Sequence, residues 1–511
     1  MGLGVTFAVS LLGLSGHLVE VEAHLAASVP GFTLVGLPDA ALAESRDRVR
    51  AAVTSSALGW PQRRITINLS PASLPKSGSS FDLAIAVAML AGAGVLPPSG
   101  PRDVVHLGEL GLDGRLRPVH GVLPAVAAAV AAGHPRVVVP AANAVEAGLV
   151  PGALVVGARN LAEVAHWYGA DVAVPDSPPA AGVVGHVVPR RVLDLADVLG
   201  QMEARGALEV AAAGGHHLLM VGPPGAGKTM LAARLPGLLP DLTEEEAVEV
   251  TAVHSIAGTF DPGGGLLRRP PFEDPHHTAT PAAVVGGGSG MPRPGAASRA
   301  HRGVLFMDEA PEFSPRVLET LRQPLEHGEL VIQRAGGCAR YPARFQLVLA
   351  ANPCPCGRAV GKGLDCSCTA QARRRYFSRL SGPLLDRVDL QVDVLPVSRA
   401  DLGSTRPGES SADVGRRVAA ARSVQAARLS GTPWRTNAEV PGHWIRRALG
   451  PDRTLMQDLD RALDRGLLSL RGVDRVLRVA WTIADLAGRT APGRSEIGQG
   501  LLLRTRGQVG S

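Results

Sequence analysis

The chain has 511 residues, 45% of them hydrophobic, and a net charge of +6. That length suits about three domains with ordinary cores, and the mild basic excess permits a polyanionic partner without demanding one. With 3% aromatic residues, aromatic stacking platforms are not the expected means of gripping nucleic acid. No run approaches the about 18 apolar residues of a membrane span, and Met1 to Leu14 lacks the basic start of a secretory signal, so the expectation is a cytoplasmic protein without a membrane segment.

Residues 1–174 alternate short β-like runs with Ala-rich helical runs. Arg64 to Leu69 and Val137 to Val139 predict strands, while Phe81 to Ala91 and Leu123 to Ala132 predict helices, giving an α/β domain. Residues 175–189, rich in Pro, Gly, Ala and Val, predict a linker. Residues 190–398 predict a second α/β domain, interrupted at Gly263 to Gly265 and Gly286 to Gly288 by loops or hairpin tips. Residues 399–503 predict a helical domain entered through a polar connector, Gly403 to Asp413, and 504–511 a basic tail. Over residues 401–511, 18 arginines face 11 acids, so positive charge concentrates at this end.

The central domain carries the strongest signal. Leu218 to Val221 predicts a buried strand, and Met230 to Leu235 a helix. Between them Gly222, Pro223, Pro224, Gly225, Ala226, Gly227, Lys228 and Thr229 fit the pattern of a phosphate-binding loop. Backbone N–H groups at such a loop and helix start attract phosphate, the lysine reaches the β- and γ-phosphates, and the Thr hydroxyl binds Mg²⁺. The whole chain holds only three lysines, Lys76, Lys228 and Lys362, so a strong preference for arginine is set aside at Lys228.

About eighty residues on, Gly303 to Met307 predicts a strand ending in Asp308 and Glu309. Asp308 suits the Mg²⁺ shell and Glu309 suits orientation or deprotonation of an attacking water. A third strand, Phe345 to Ala351, ends at Asn352, placed to contact a γ-phosphate or that water; an Asn before Pro353 is also a plain turn former. Arg387 stands alone in the run Leu384 to Leu390. It fits an arginine supplied across a subunit interface, or a salt bridge to Asp386 or Asp389.

Four of the five cysteines, Cys354, Cys356, Cys366 and Cys368, fall within fifteen residues. Four thiolates can bind Zn²⁺ tetrahedrally in a structural role. The C-x-C spacing is tighter than usual, and two disulfides or four free thiols remain as alternatives. His276 and His277 are adjacent, which suits a loop or interface better than a shared metal.

These elements, in this order, resemble the AAA+ ATPases. Phe272 to Thr278, Ala300 to Gly303, Ala351 to Gly357, Arg379 to Arg387 and Thr482 to Gly488 further resemble the magnesium-chelatase-like group called YifB or ComM. So do Gly36 to Ala40 and Leu74 to Lys76 near the start. The resemblance implies a P-loop AAA+ domain with a helical lid, preceded by a Lon-protease-like α/β domain. It implies ATP and Mg²⁺ as cofactors, with Lys228 and Thr229 as Walker A and Asp308 and Glu309 as Walker B. It makes Asn352 the first sensor, Arg387 a trans-acting finger and Arg471 the second sensor. It further implies a homo-oligomeric, hexameric ring acting on single-stranded or branched DNA as a branch-migration helicase in recombination; a remodeller or chelatase-like motor subunit acting on a protein partner is the alternative. The chain departs from the group at Ala296, often an acid, and at Trp481, often Arg. In the Lon-like region Ser80 lies nearest the nucleophile position, but the matching lysine position holds Ala125, and Lys76 does not replace it. Peptidase activity is not expected.

Overall fold

The computed structural model describes residues 2–36, 42, 44–76, 78–176, 193–288, 292–334, 337–359, 365–397, 408–450 and 453–505. Leu37 to Ala40 of the N-terminal motif, most of the linker, Gly403 to Pro407 of the connector, Lys362 and most of the basic tail lie outside the described residues.

Residues 2–158 build a seven-stranded mixed sheet. Its order is Gly31–Val35, Arg64–Ser70, Ser15–Ala26, Gly2–Leu12, Val104–His106, Arg136–Pro140, Leu154–Ala158. The first two strands of the chain form a long antiparallel hairpin, and the strands added at the Val104 side run parallel. The predicted helices appear as Asp82–Ala93 and Val122–Ala131. Asp82–Ala93 is apolar all round and buried all round, as a helix inside a core must be.

A five-stranded sheet follows, parallel throughout. Its order is Phe272–Glu273, Val304–Met307, Gln346–Ala351, Leu218–Val221, Leu390–Asp393. The inner strands are continuous apolar runs because helices cover both faces. All five strands end on one edge of the sheet, where an open α/β fold puts its ligands. The helix after the glycine loop is shorter than expected. It spans Lys228–Ala232 and gives way to a 3₁₀ turn, Leu235–Leu238, because Pro236 cannot continue an α-helix. Gly286–Gly287 pairs with Arg293–Pro294 in a short hairpin. A longer hairpin, Glu329–Arg334 with Gly337–Pro342, leaves the domain just before the Gln346–Ala351 strand.

The two sheets are joined by side chains. Helix Glu244–Ala257, started by a capping box between Thr243 and Glu246, lies against Val122–Ala131. The Ser255 hydroxyl donates to the Glu146 carboxylate, and Leu14 and Ile256 pack on Ile332, Ala339 and Tyr341 of the long hairpin.

The C-terminal part is helical, with Ser411–Arg428, Gly442–Leu449, Arg453–Asp464, Leu470–Leu486 and Arg494–Thr505. Ser411–Arg428 and Leu470–Leu486 pack on Met202–Gly214, the helix that leads into the Leu218–Val221 strand. A buried polar knot fixes this junction. Thr482 Oγ1 bonds His216 Nε2 at 2.8 Å and accepts from Asn437 at 3.0 Å, while Asn437 and Arg428 both bind Asp485.

Candidate nucleotide site

The glycine loop turns tightly because Gly225 and Gly227 take φ of +77° and +95°, where a side chain is strained. Gly222 is required for a different reason. A Cβ there would sit 2.1 Å from the Val394 carbonyl oxygen. The Ala226 N–H closes the turn onto the Pro223 carbonyl at 3.2 Å.

Lys228 opens the following helix and is almost fully buried. Its ammonium donates to the carbonyls of Gly222 and Pro223, at 2.7 and 3.0 Å, and to Asn352 Oδ1 at 3.1 Å. Burial pulls its pKa below the ordinary lysine value, against the opposing pull of Asp308 and Glu309. Next to it Thr229 Oγ1 donates to Asp308 Oδ2 at 2.6 Å. A hydroxyl and a carboxylate side by side form an all-oxygen donor pair, the chemistry Mg²⁺ prefers, and the loop amides suit phosphate. These residues therefore fit Mg²⁺ with a nucleotide. Strand pairing explains the convergence: the Leu218–Val221 strand, which feeds the loop, and Val304–Met307, which feeds Asp308, flank Gln346–Ala351, which feeds Asn352.

Glu309 has a left-handed φ of +50°, a conformation that costs a non-glycine residue free energy and concentrates at functional sites. Its N–H donates to Asp308 Oδ1 at 2.9 Å, and its half-exposed carboxylate lies 3.4 Å from His277 Nδ1. His277, read from sequence as a loop or interface residue, thus faces the same site, its ring centre 4.1 Å from that of His276. Nothing in its local sequence points to Glu309; only the parallel pairing of Phe272–Glu273 with Val304–Met307 brings them together. Tyr376 is a second addition, its hydroxyl against the backbone of Asn352. A third is a cleft of about 150 Å³ beside the loop, lined by Val198, Leu199, Gln201, Ala226, Gly227 and Met230 among others. Gln201 holds its rim by donating to the Ala226 carbonyl at 3.2 Å.

The arginines stand apart. Arg387 pairs with Glu326 and donates to the Pro383 carbonyl at 2.6 Å. The alternative partners expected from sequence are thereby corrected. Asp386 turns to Arg471 at 3.4 Å, and Asp389 to Arg475 at 2.5 Å, because Asp389 is buried among His216, His217 and Arg475. Arg471 is 81% exposed. Burial, then the neighbouring Arg475, Arg322 and Arg471, lower the Arg387 pKa from its ordinary value. Among the described residues, the charged groups that act on Lys228 are Asp308 and Glu309.

Comparison with known proteins gives the setting. Three family models match in series: "Subunit ChlI of Mg-chelatase" over residues 21–143, "Magnesium chelatase, subunit ChlI" over 194–402, and "Magnesium chelatase, subunit ChlI C-terminal" over 408–504. An uncharacterized protein of Mycobacterium tuberculosis is 55% identical over 99% of both chains. The competence protein ComM of Haemophilus influenzae is 42% identical over 96% of this chain and 94% of its own. The chain belongs to the YifB/ComM family. The magnesium-chelatase 38 kDa subunit of Rhodobacter capsulatus is more distant, 28% identical over 60% of this chain and 85% of its own length.

Membership in the YifB/ComM family makes the central domain one of AAA+ type and implies ATPase activity. The two departures from the group fall in cores. Ala296 is buried at the start of helix Ala296–Arg299, among Val284, Leu305 and Leu330. Trp481 is buried under the Arg428 guanidinium, 5.0 Å from its ring centre, and beside Trp444. Ser80 lies in the 3₁₀ turn Ser79–Phe81, and Lys76, fully buried, donates to the Pro71 carbonyl. Among the described residues no helix is long and apolar enough to cross a membrane.

Proposed function

We propose that this chain is an ATP-hydrolysing ring motor that acts on DNA. The observation that carries the ATP part is the hydrogen-bonded convergence of Lys228, Thr229, Asp308 and Asn352 at the ends of parallel strands. Lys228 exchanges its carbonyl partners for the β- and γ-phosphates. Thr229 and Asp308 hold Mg²⁺, which when bound neutralises charge on the phosphates. Glu309 orients the attacking water and takes its proton, with His277 holding the carboxylate in place. Asn352 reads the γ-phosphate, and the cleft at Val198, Leu199 and Met230 seats the adenine. Arg387 and Arg471 serve the site of a neighbouring copy, which makes the working unit a ring, hexameric in this reading. The lid is the C-terminal helical part, whose shift with each hydrolysis drives movement.

DNA is the proposed substrate because a full-length relative is a competence protein and because the C-terminal part is basic, which favours phosphate backbones. The test is the ATPase rate of the purified protein with no DNA, single-stranded, duplex and branched DNA. Stimulation by single-stranded or branched DNA is expected. An unchanged rate on all of them, with no gel shift at low salt, overturns the DNA reading. It would favour the second one, a motor subunit working on a protein partner, for which the match to a magnesium-chelatase subunit speaks.

A further inference from the structure

We propose that Cys354, Cys356, Cys366 and Cys368 bind one Zn²⁺ as a structural tetrathiolate, and that this centre pins the segment after Asn352 against the phosphate-binding loop. The four sulfurs lie within 4.8 Å of one another. Cys354 and Cys356 are 3.3 Å apart, Cys356 and Cys366 3.7 Å, and Cys354 and Cys366 3.6 Å. A zinc ion with Zn–S bonds of about 2.3 Å sets tetrahedral sulfur–sulfur edges of about 3.8 Å. All four cysteines are free.

The surroundings suit an anionic centre. Four thiolates around Zn²⁺ carry a net charge of −2, their protons having gone to solvent. The backbone amides of Arg358, Cys368 and Cys356 face the sulfurs of Cys356, Cys366 and Cys368 in turn. Cys368 directly precedes Thr369, the N-cap of helix Ala370–Phe377, whose positive end favours negative charge. Residues 352–379 hold Arg358, Lys362, Arg373, Arg374, Arg375 and Arg379 against the single acid Asp365. An all-sulfur tetrahedral set selects zinc or iron–sulfur chemistry. With four protein ligands and no open position, the zinc is structural rather than catalytic.

The link to the loop is steric. Cys354 is fully buried two residues beyond Asn352. Gly357 has φ of +75°, and a Cβ on it would stand 2.6 Å from Pro224 Cδ. The turn between the first two ligands and helix Ala370–Phe377 therefore rests on the middle of the glycine loop. The second half of the proposal rests on the nucleotide reading above; the first does not.

The test uses the full-length protein purified without chelator, with metal counted by elemental analysis and nucleotide affinity read with a fluorescent ATP analogue. One zinc per chain is expected, replaceable by Co²⁺ with a tetrahedral thiolate spectrum. The pair Cys366→Ser, Cys368→Ser loses the zinc, while Cys338→Ser, on strand Gly337–Pro342 and outside the four-sulfur cluster, keeps it. Gly357→Ala retains all four thiols and the zinc but weakens nucleotide binding by about five-fold or more. A metal-free protein that takes up no Co²⁺, an iron-containing one, or a Cys366→Ser, Cys368→Ser protein with its zinc intact overturns the metal site. Unchanged affinity in Gly357→Ala overturns the clamp. A zinc protein that binds no nucleotide at all leaves the metal site standing and removes the nucleotide reading.

Discussion

Two regions of the molecule treat their charged side chains in opposite ways. On the strand edge, Lys228 is tied to Asn352 and to the loop carbonyls, and Thr229 to Asp308. On the region bearing Arg387 and Arg471, the guanidinium groups are paired with Glu326 and Asp386. Exposed ion pairs of the second kind are worth about 1 kcal/mol or less, so an arriving phosphate can displace the Arg471 partner cheaply. The first region is already tied together without a ligand. The second holds the two arginines that the proposed function assigns to a neighbouring copy's site. That contrast is why the proposed unit is a ring rather than a single subunit.

The largest effects are expected on the first region. Lys228→Ala removes the buried ammonium and abolishes nucleotide binding in a fluorescent-analogue titration. Glu309→Gln leaves the loop intact, so ATP still binds, while phosphate release falls about 10³-fold. If both variants bind and hydrolyse like the parent, the strand-edge site is not the ATP site.

On the second region, Arg387→Ala lowers kcat by about 10³-fold with little change in nucleotide affinity, the mark of a group that acts on the transition state. Mixing Lys228→Ala chains with Arg387→Ala chains sharpens the contrast. Each supplies the half the other lacks, so a mixture regains measurable phosphate release if sites span two copies. A mixture as dead as its components places Arg387 in its own subunit's site.

Smaller effects come from the joint between the P-loop sheet and the C-terminal helices. Thr482→Val keeps volume but strips the hydroxyl shared by His216, Asn437 and the Arg478 carbonyl. Leaving buried polar groups unpaired costs about 1–3 kcal/mol, so the midpoint of thermal unfolding should drop by about 5 °C. An unchanged midpoint shows the knot to be replaceable by water.

Legibility in the sequence follows the range of the interaction. The glycine loop, the Asp308–Glu309 strand end and the Asn352 strand end are local devices, each set by a strand and the few residues after it, and the parallel sheet brings them together. His277, Tyr376 and the cleft at Gln201 depend on strand order and on loops far apart in the chain, and no local pattern marks them. The same limit explains Arg387. Its neighbours in sequence, Asp386 and Asp389, suggested an ion pair, yet both are taken by arginines of helix Leu470–Leu486, and Arg387 turns to Glu326.

Acid separates the two sheets. In the five-stranded sheet and its helices, burial depresses His217 to about 4 and also lowers His254 and His301. Such groups stay neutral when folded and take up protons near 6.5 when unfolded, so their contribution to stability is lost as pH falls from about 6.5 toward their folded values. The hydrogen bond to His301 holds Glu249 down at about 2, which adds a further loss between 4.5 and that value. The seven-stranded sheet carries His106, depressed by burial to about 3, and His120, also lowered. Against them stand Asp82, which burial pushes up to about 6 despite Arg48, and Glu146, likewise raised. Raised carboxyls bind protons more readily folded than unfolded, so they gain stability as pH falls through that range and offset the histidines. Amide exchange, corrected for intrinsic rate, should therefore show the P-loop strands opening before the N-terminal strands between pH 7 and pH 5. The reverse order would mean that Asp82 stays ionised in its pair with Arg48, whose Nε lies 2.6 Å from it.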